Sequence, residues 1–210
     1  MSVSAIGRIP CLQLDREESS EDAGFTLIEL MVVLLILAIL LAIAIPTFLG
    51  VTKSANDRAS QSNLNTALIS TKSVFQQNSQ SYNLATNATY TTPAAVMAAT
   101  LVSAEPNLSF ATGAVTSGSA PAQVSVAIAA DGNGVILAAQ AKGTGNCWFI
   151  IDNSVAELAT ASTPYANLSG NALTSGTAYG EAKGATTCSA ATPPAVSATV
   201  SYLDAGFPNL

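Results

Sequence analysis

Residues 25–49 read FTLIELMVVLLILAILLAIAIPTFL, twenty-five residues whose single charge is Glu29. As a helix this run would be about 37 Å long, enough to cross a hydrocarbon core of about 30 Å. Residues 30–45 are aliphatic or Met without interruption. A helix apolar on every side needs lipid or a bundle of other helices around it. A cleaved secretory signal would want a basic flank, a shorter apolar stretch and small residues beyond it; here the flank is acidic and the run ends in Pro46-Thr-Phe-Leu. A plain membrane anchor remains the simpler alternative. Glu29 argues for more, because a carboxylate in a membrane helix costs about 2.5–3.5 kcal/mol at the centre and less near the interface. No residue inside the run offers it a counter-charge. A free amino group would, if the chain were cut just before the run.

The string Gly24-Phe25-Thr26-Leu27-Ile28-Glu29 joined to that aliphatic run resembles the cleavage motif of type IV pilins and pseudopilins. The later phrase Ala44-Ile45-Pro46-Thr47-Phe48-Leu49-Gly50 is similar to the family's continuation. The resemblance implies that a prepilin peptidase cuts between Gly24 and Phe25 and that Phe25 is then N-methylated. It divides the chain into a cleaved leader (1–24), a transmembrane and filament-core helix (25–50), and a remainder (51–210). The leader departs from family habit in its acidic Glu21-Asp22 ahead of Gly24. In a head-to-tail assembly, Glu29 of one subunit would meet the Phe25 amine of a neighbour and fix the axial register. Pro46 removes a helix hydrogen bond and Gly50 adds backbone freedom; by resemblance this stretch loosens during assembly.

Working outward, the rest of the chain is sparsely charged. The protein has 210 residues, 10% of them charged, and a formal net charge of −6. Five acids and two arginines lie in the first 24 residues, leaving eight acids and five bases. A weakly acidic body of this kind has no electrostatic footprint for nucleic acid. There is no histidine, which removes Ser-His-Asp and Cys-His catalysis and His-based metal sites. No phosphate-cradling glycine motif occurs and the acids are scattered. We therefore expect no enzyme activity, cofactor or metal.

After Gly50 the apolar residues Leu64, Ala67, Leu68, Val74 and Phe75 recur with Thr71 at helical spacing. One helix is expected from about residue 25 to about residue 77, its second half lying on a small antiparallel sheet, an α+β arrangement as in the pilin fold. Lys53, Asp57 and Arg58 are expected on a solvated face. A short helix is expected over 93–101, started by Thr91-Thr92-Pro93. Strands are expected over 123–129, 135–141 and 147–152, the first two joined through Asp131-Gly-Asn-Gly134. Residues 107–111 supply an edge and 196–203 a last strand. The stretch from 154 on is rich in Ala, Ser, Thr and Gly and needs pinning.

Three cysteines are present, Cys11, Cys147 and Cys188. Loss of the leader leaves an even pair, which suits an oxidising compartment, although two unpaired buried thiols fit the residues as well. The resemblance implies a bond, since pilins commonly staple a C-terminal loop to the sheet. A Cys147–Cys188 bond would close a loop of about 40 residues and contribute roughly 3–4 kcal/mol in the chain-entropy model. The family further implies a precursor held in the cytoplasmic membrane, then a surface filament of identical copies, served by an assembly platform and an ATPase. A type II secretion pseudopilin, or a minor or competence pilin, is the alternative within the class. A single-pass anchored binding protein is the alternative outside it.

Overall fold

The computed structural model describes residues 24–116, 122–155, 164–168 and 170–208. Residues 1–23, which make up all but the last residue of the expected leader (1–24) and include Cys11, lie outside the described residues. The chain divides between Ile45 and Pro46 into two units, each taken by itself.

Helix α1 covers Leu27–Gln77 and runs through Pro46 and Gly50 without interruption. Every residue from 24 to 55 is exposed. The apolar run is therefore a solvent-exposed surface on every side of the helix. Beyond residue 55 the stripe Asp57, Ser60, Leu64, Ala67, Leu68, Thr71 is buried, at the spacing of three and four that lays one helix face on a neighbour. Helix α2, Pro93–Ala104, starts where the Thr92 hydroxyl accepts from the Ala95 N–H with Pro93 next, a capped and pre-bent first turn.

Among the described residues six strands form one sheet in sequence order: β1 Ser109–Ala111, β2 Gln123–Ile128, β3 Gly134–Gln140, β4 Cys147–Asn153, β5 Gly176–Ala182 and β6 Val200–Leu203. All neighbours are antiparallel except β1 and β2, which are parallel. The sheet is thus mostly, not wholly, antiparallel. A parallel pair obliges the chain to cross back to its starting end between the two strands. On the way Val115 exchanges two backbone hydrogen bonds with Cys188, at 2.7 and 3.1 Å.

The turn between β2 and β3 forms where the glycines predict it. Gly132 has φ +74°, and a Cβ there would lie 2.7 Å from the Asn83 side chain. Its carbonyl accepts from the Tyr82 N–H at 2.8 Å, so the turn also anchors the chain leaving α1.

Both faces of the sheet are buried. Val135, Leu137, Trp148 and Ile150 point to one side and pack with Leu64, Leu68, Met97 and Leu101 of the two helices. Ile136, Phe149 and Ile151 point to the other and pack with Tyr165, Leu168, Leu173 and Tyr202. This explains why β4 reads as an unbroken apolar run, since a strand covered on both faces shows no alternation. The stretch after residue 154 was expected to be a pinned tail with little core of its own. Besides the expected last strand, β6, it supplies β5 and the layer that covers the second face. β5 was hidden because its Gly-Thr-Ala-Tyr-Gly-Glu-Ala sequence carries small residues where bulky ones mark strands. Gly180 has to be small, since a Cβ would lie 2.4 Å from the Tyr202 ring. The last strand is shorter than expected, Val200–Leu203 instead of 196–203.

Cys147 and Cys188 are disulfide-bonded, with their Cα atoms 5.3 Å apart and both residues buried. The bond ties the covering layer to the first residue of β4. A double Cys147→Ser/Cys188→Ser variant is expected to lose about 2–5 kcal/mol of stability. Urea unfolding of the oxidised protein beside the variant measures this, and matching midpoints would remove the staple from the account.

Candidate functional site

The motif residues Gly24, Phe25 and Glu29 lie together at the start of α1. Phe25 is 91% exposed, and nothing lies within 4 Å of the position a Cβ would take at Gly24. An accessible peptide bond between an unencumbered glycine and an exposed aromatic residue is what a protease acting at this point requires. Thr26 and Glu29 close a reciprocal cap. The Thr26 N–H and hydroxyl each donate to Glu29 Oε2 at 2.8 Å, and the Glu29 N–H donates back to the Thr26 hydroxyl at 3.3 Å. This is a capping box, in which the first free N–H groups of a helix are satisfied by side chains. The sequence reading held that no residue of the run offers Glu29 a counter-charge. Thr26 offers no charge, but it does offer two hydrogen bonds, and the spacing Thr-x-x-Glu carried that signal unread.

Pro46 and Gly50 lie farther along α1, on exposed helix, and are not brought to the motif. Pro46 has no N–H to give the helix ladder, and Gly50 meets no neighbour at its Cβ position. Cys147 and Cys188 are brought together, as described above.

Two buried carboxylates fasten α1 to the sheet. Asp57 was expected on a solvated face and is instead only 2% exposed. Its Oδ1 accepts from the Trp148 indole N–H and from the Thr144 hydroxyl, both at 2.9 Å. Beside it, the Asn56 side-chain amide donates to the Lys142 carbonyl at 2.9 Å. Residues 142–144, between β3 and β4, are thereby held on the helix. Asp57 lies one heptad before Leu64 and two before Thr71, so the buried stripe could have been extended back to it.

Asp152 anchors the other end of the contact. Its Oδ1 lies 2.8 Å from Lys72 Nζ and accepts from the Thr177 hydroxyl, while its Oδ2 accepts from the Tyr82 hydroxyl at 2.5 Å. Burial, and then the Asp152 carboxylate, push the Tyr82 phenol far above its ordinary range, so Tyr82 stays a neutral donor. Ser70 donates to Glu105 just beyond α2 at 2.7 Å. The second half of α1 is therefore held at both ends by charge-assisted hydrogen bonds and between them by apolar packing.

Residues 20–45 match the family model described as the prokaryotic N-terminal methylation motif. No curated protein and no solved structure matches the chain. The matched segment contains Gly24, Phe25 and Glu29 and most of the apolar run. The chain carries a type IV pilin-like class III leader, and with it the mark of a pilin-like or pseudopilin precursor processed by prepilin peptidase. The long helix packed on a six-stranded, mostly antiparallel sheet is consistent with the α+β pilin fold. The leader and the apolar helix fit a precursor anchored in a membrane and later assembled into an extracellular pilus.

Proposed function

We propose that the protein is a structural subunit of a type IV pilus, cut between Gly24 and Phe25, methylated at the Phe25 amine and polymerised through residues 25–50. The observation that carries this reading is the methylation motif at 20–45 continuing into a helix whose apolar surface is exposed all round. A subunit destined for a bundle needs such a surface, and needs Glu29 as well. In the filament the Glu29 carboxylate pairs with the Phe25 amine of a neighbouring copy. The low-dielectric bundle makes an unpaired partner costly and so penalises slipped registers. Contacts of this head-to-tail kind are heterologous and build an open fibre, not a closed ring. Pro46 and Gly50 give the helix a point at which its ladder yields during packing. The division into leader (1–24), core helix (25–50) and disulfide-closed head (51–210) belongs to this reading. So do an assembly platform and an ATPase as partners, and a structural, non-enzymatic role.

Mass spectrometry of sheared surface material from the native host tests it. The expected N-terminal peptide begins at Phe25 and is one methyl heavier than the encoded sequence. A chain found only in the membrane fraction with its leader intact would overturn the proposal in favour of an anchored protein. A processed chain that is only a trace component of the fibres would instead assign it to the minor pilins.

A further inference from the structure

Glu181 is the most deeply placed acid that none of the roles above uses. It is 2% exposed, in β5, and its cross-strand partner in β4 is Trp148. Directly paired residues send their side chains to the same face of a sheet. Glu181 therefore lies on the face that carries Trp148, the residue whose indole N–H is on Asp57. Among the described residues its Oε1 makes no hydrogen bond, and its Oε2 has Lys183 Nζ at 3.9 Å, on a side chain more than half exposed.

From these positions we infer that Glu181 and Asp57 form a proton-dependent latch, which holds helix α1 on the sheet more tightly in acid than at neutral pH. The charged groups around Glu181 explain the direction. Helix α1 contributes Asp57, and its Lys53 and Arg58 are exposed. The β3–β4 connection contributes Lys142, also exposed. The cross-strand partners, Trp148 in β4 and Ser201 in β6, carry no charge, and Asp204 beyond β6 is exposed. Lys183 follows β5. Among the described residues no buried cation faces the Glu181 carboxyl. Burial raises it above the ordinary glutamate range, Lys183 pulls against that, and the Asp57 charge adds the smallest contribution to the rise.

A carboxyl raised in the folded state favours folding while it is protonated. That contribution is complete below the ordinary glutamate range and is lost as pH climbs to the raised value. Above that value Glu181 joins Asp57 and the Lys72-paired Asp152 as a third carboxylate buried on one side of the sheet, and Trp148 shares the surroundings of the first two.

The test uses the mature chain in detergent micelles. Trp148 is the sole tryptophan, so its fluorescence follows both the latch and unfolding. The folded-to-unfolded ratio of the wild type is expected to drop by up to about tenfold per pH unit above the ordinary glutamate range, the limit for one proton. Glu181→Gln should flatten that slope and be the more stable form at neutral pH. Asp57→Asn keeps an acceptor for Trp148 and should move the window to lower pH. A Glu181→Gln variant with the wild-type slope, or less stable than wild type at neutral pH, overturns the latch. If Glu181→Gln does not fold, an unmoved window in Asp57→Asn overturns it alone.

Discussion

Glu29→Ala is expected to leave membrane insertion and cleavage intact while abolishing fibres. The substitution removes a charge from the apolar run, so insertion is not impaired. In the proposed filament it strands a neighbour's Phe25 amine in a low-dielectric bundle. Breaking a buried ion pair by removing one partner costs about 3–5 kcal/mol, and each 1.4 kcal/mol is tenfold. The association constant per contact would therefore drop by roughly 10²–10³-fold or more. The Thr26–Glu29 cap supplies the control that the pairing idea requires. Glu29→Gln can still occupy the third position of a capping box but carries no charge, and it should fail to assemble as Ala does. Thr26→Ala keeps the charge and loses the cap, at about 0.5–2 kcal/mol, and should still form fibres. Counting sheared fibres against total membrane antigen separates the cases. Normal yield from Glu29→Gln would sink the pairing and leave Glu29 a helix cap.

How much of this was open to a reader of the sequence depended on whether one residue type dominated the local physics. The apolar run could be read because twenty-five residues with one charge admit few placements. The β2–β3 hairpin could be read because Gly132 occupies a left-handed conformation that favours glycine. Trp148, Phe149, Ile150 and Ile151 announced a strand by bulk. β5 did not, since Gly180 must leave room for the Tyr202 ring and Ala178 and Ala182 are small for the layer above them. Its identity as a strand comes from pairing with β4 and β6, a tertiary fact that no local window contains. The same holds for Asp57. An aspartate near the middle of a helix is solvated by default, and only the arrival of Trp148 and Thr144 from far along the chain makes it a buried acceptor. At the motif the balance was reversed. Gly24, Phe25 and Glu29 stand out by residue type and spacing, while the Thr26 cap beside them is masked by the charge of Glu29, which points to an ionic partner before a hydrogen-bonding one.

Trp148→Ala should be the most destabilising single change in the second unit. The indole is fully buried, packs edge-on against Phe207 at 5.7 Å between ring centres, and gives its N–H to Asp57. Truncating a buried aromatic of this size costs about 3–5 kcal/mol through lost burial and the cavity left behind. Asp57 would also lose one of its two donors and keep only the Thr144 hydroxyl. Against a total stability of about 5–15 kcal/mol for a domain, much of the folded population is expected to be lost. Trp148→Phe separates the two contributions. It retains most of the apolar bulk and removes only the N–H, so about 1–3 kcal/mol is expected from leaving a buried carboxylate under-satisfied. Circular dichroism during urea unfolding measures both, since neither variant retains a tryptophan signal. If Trp148→Phe is as stable as wild type, the indole–Asp57 bond does not fasten the helix, and burial alone does. The assembly phenotypes should diverge as well. Glu29→Ala is expected to leave this unit's unfolding curve unchanged while fibres vanish, whereas Trp148→Ala should lose fibres only because the unit that α1 rests on has unfolded. That contrast, once measured, would assign assembly to the exposed half of α1 and folding to the buried half.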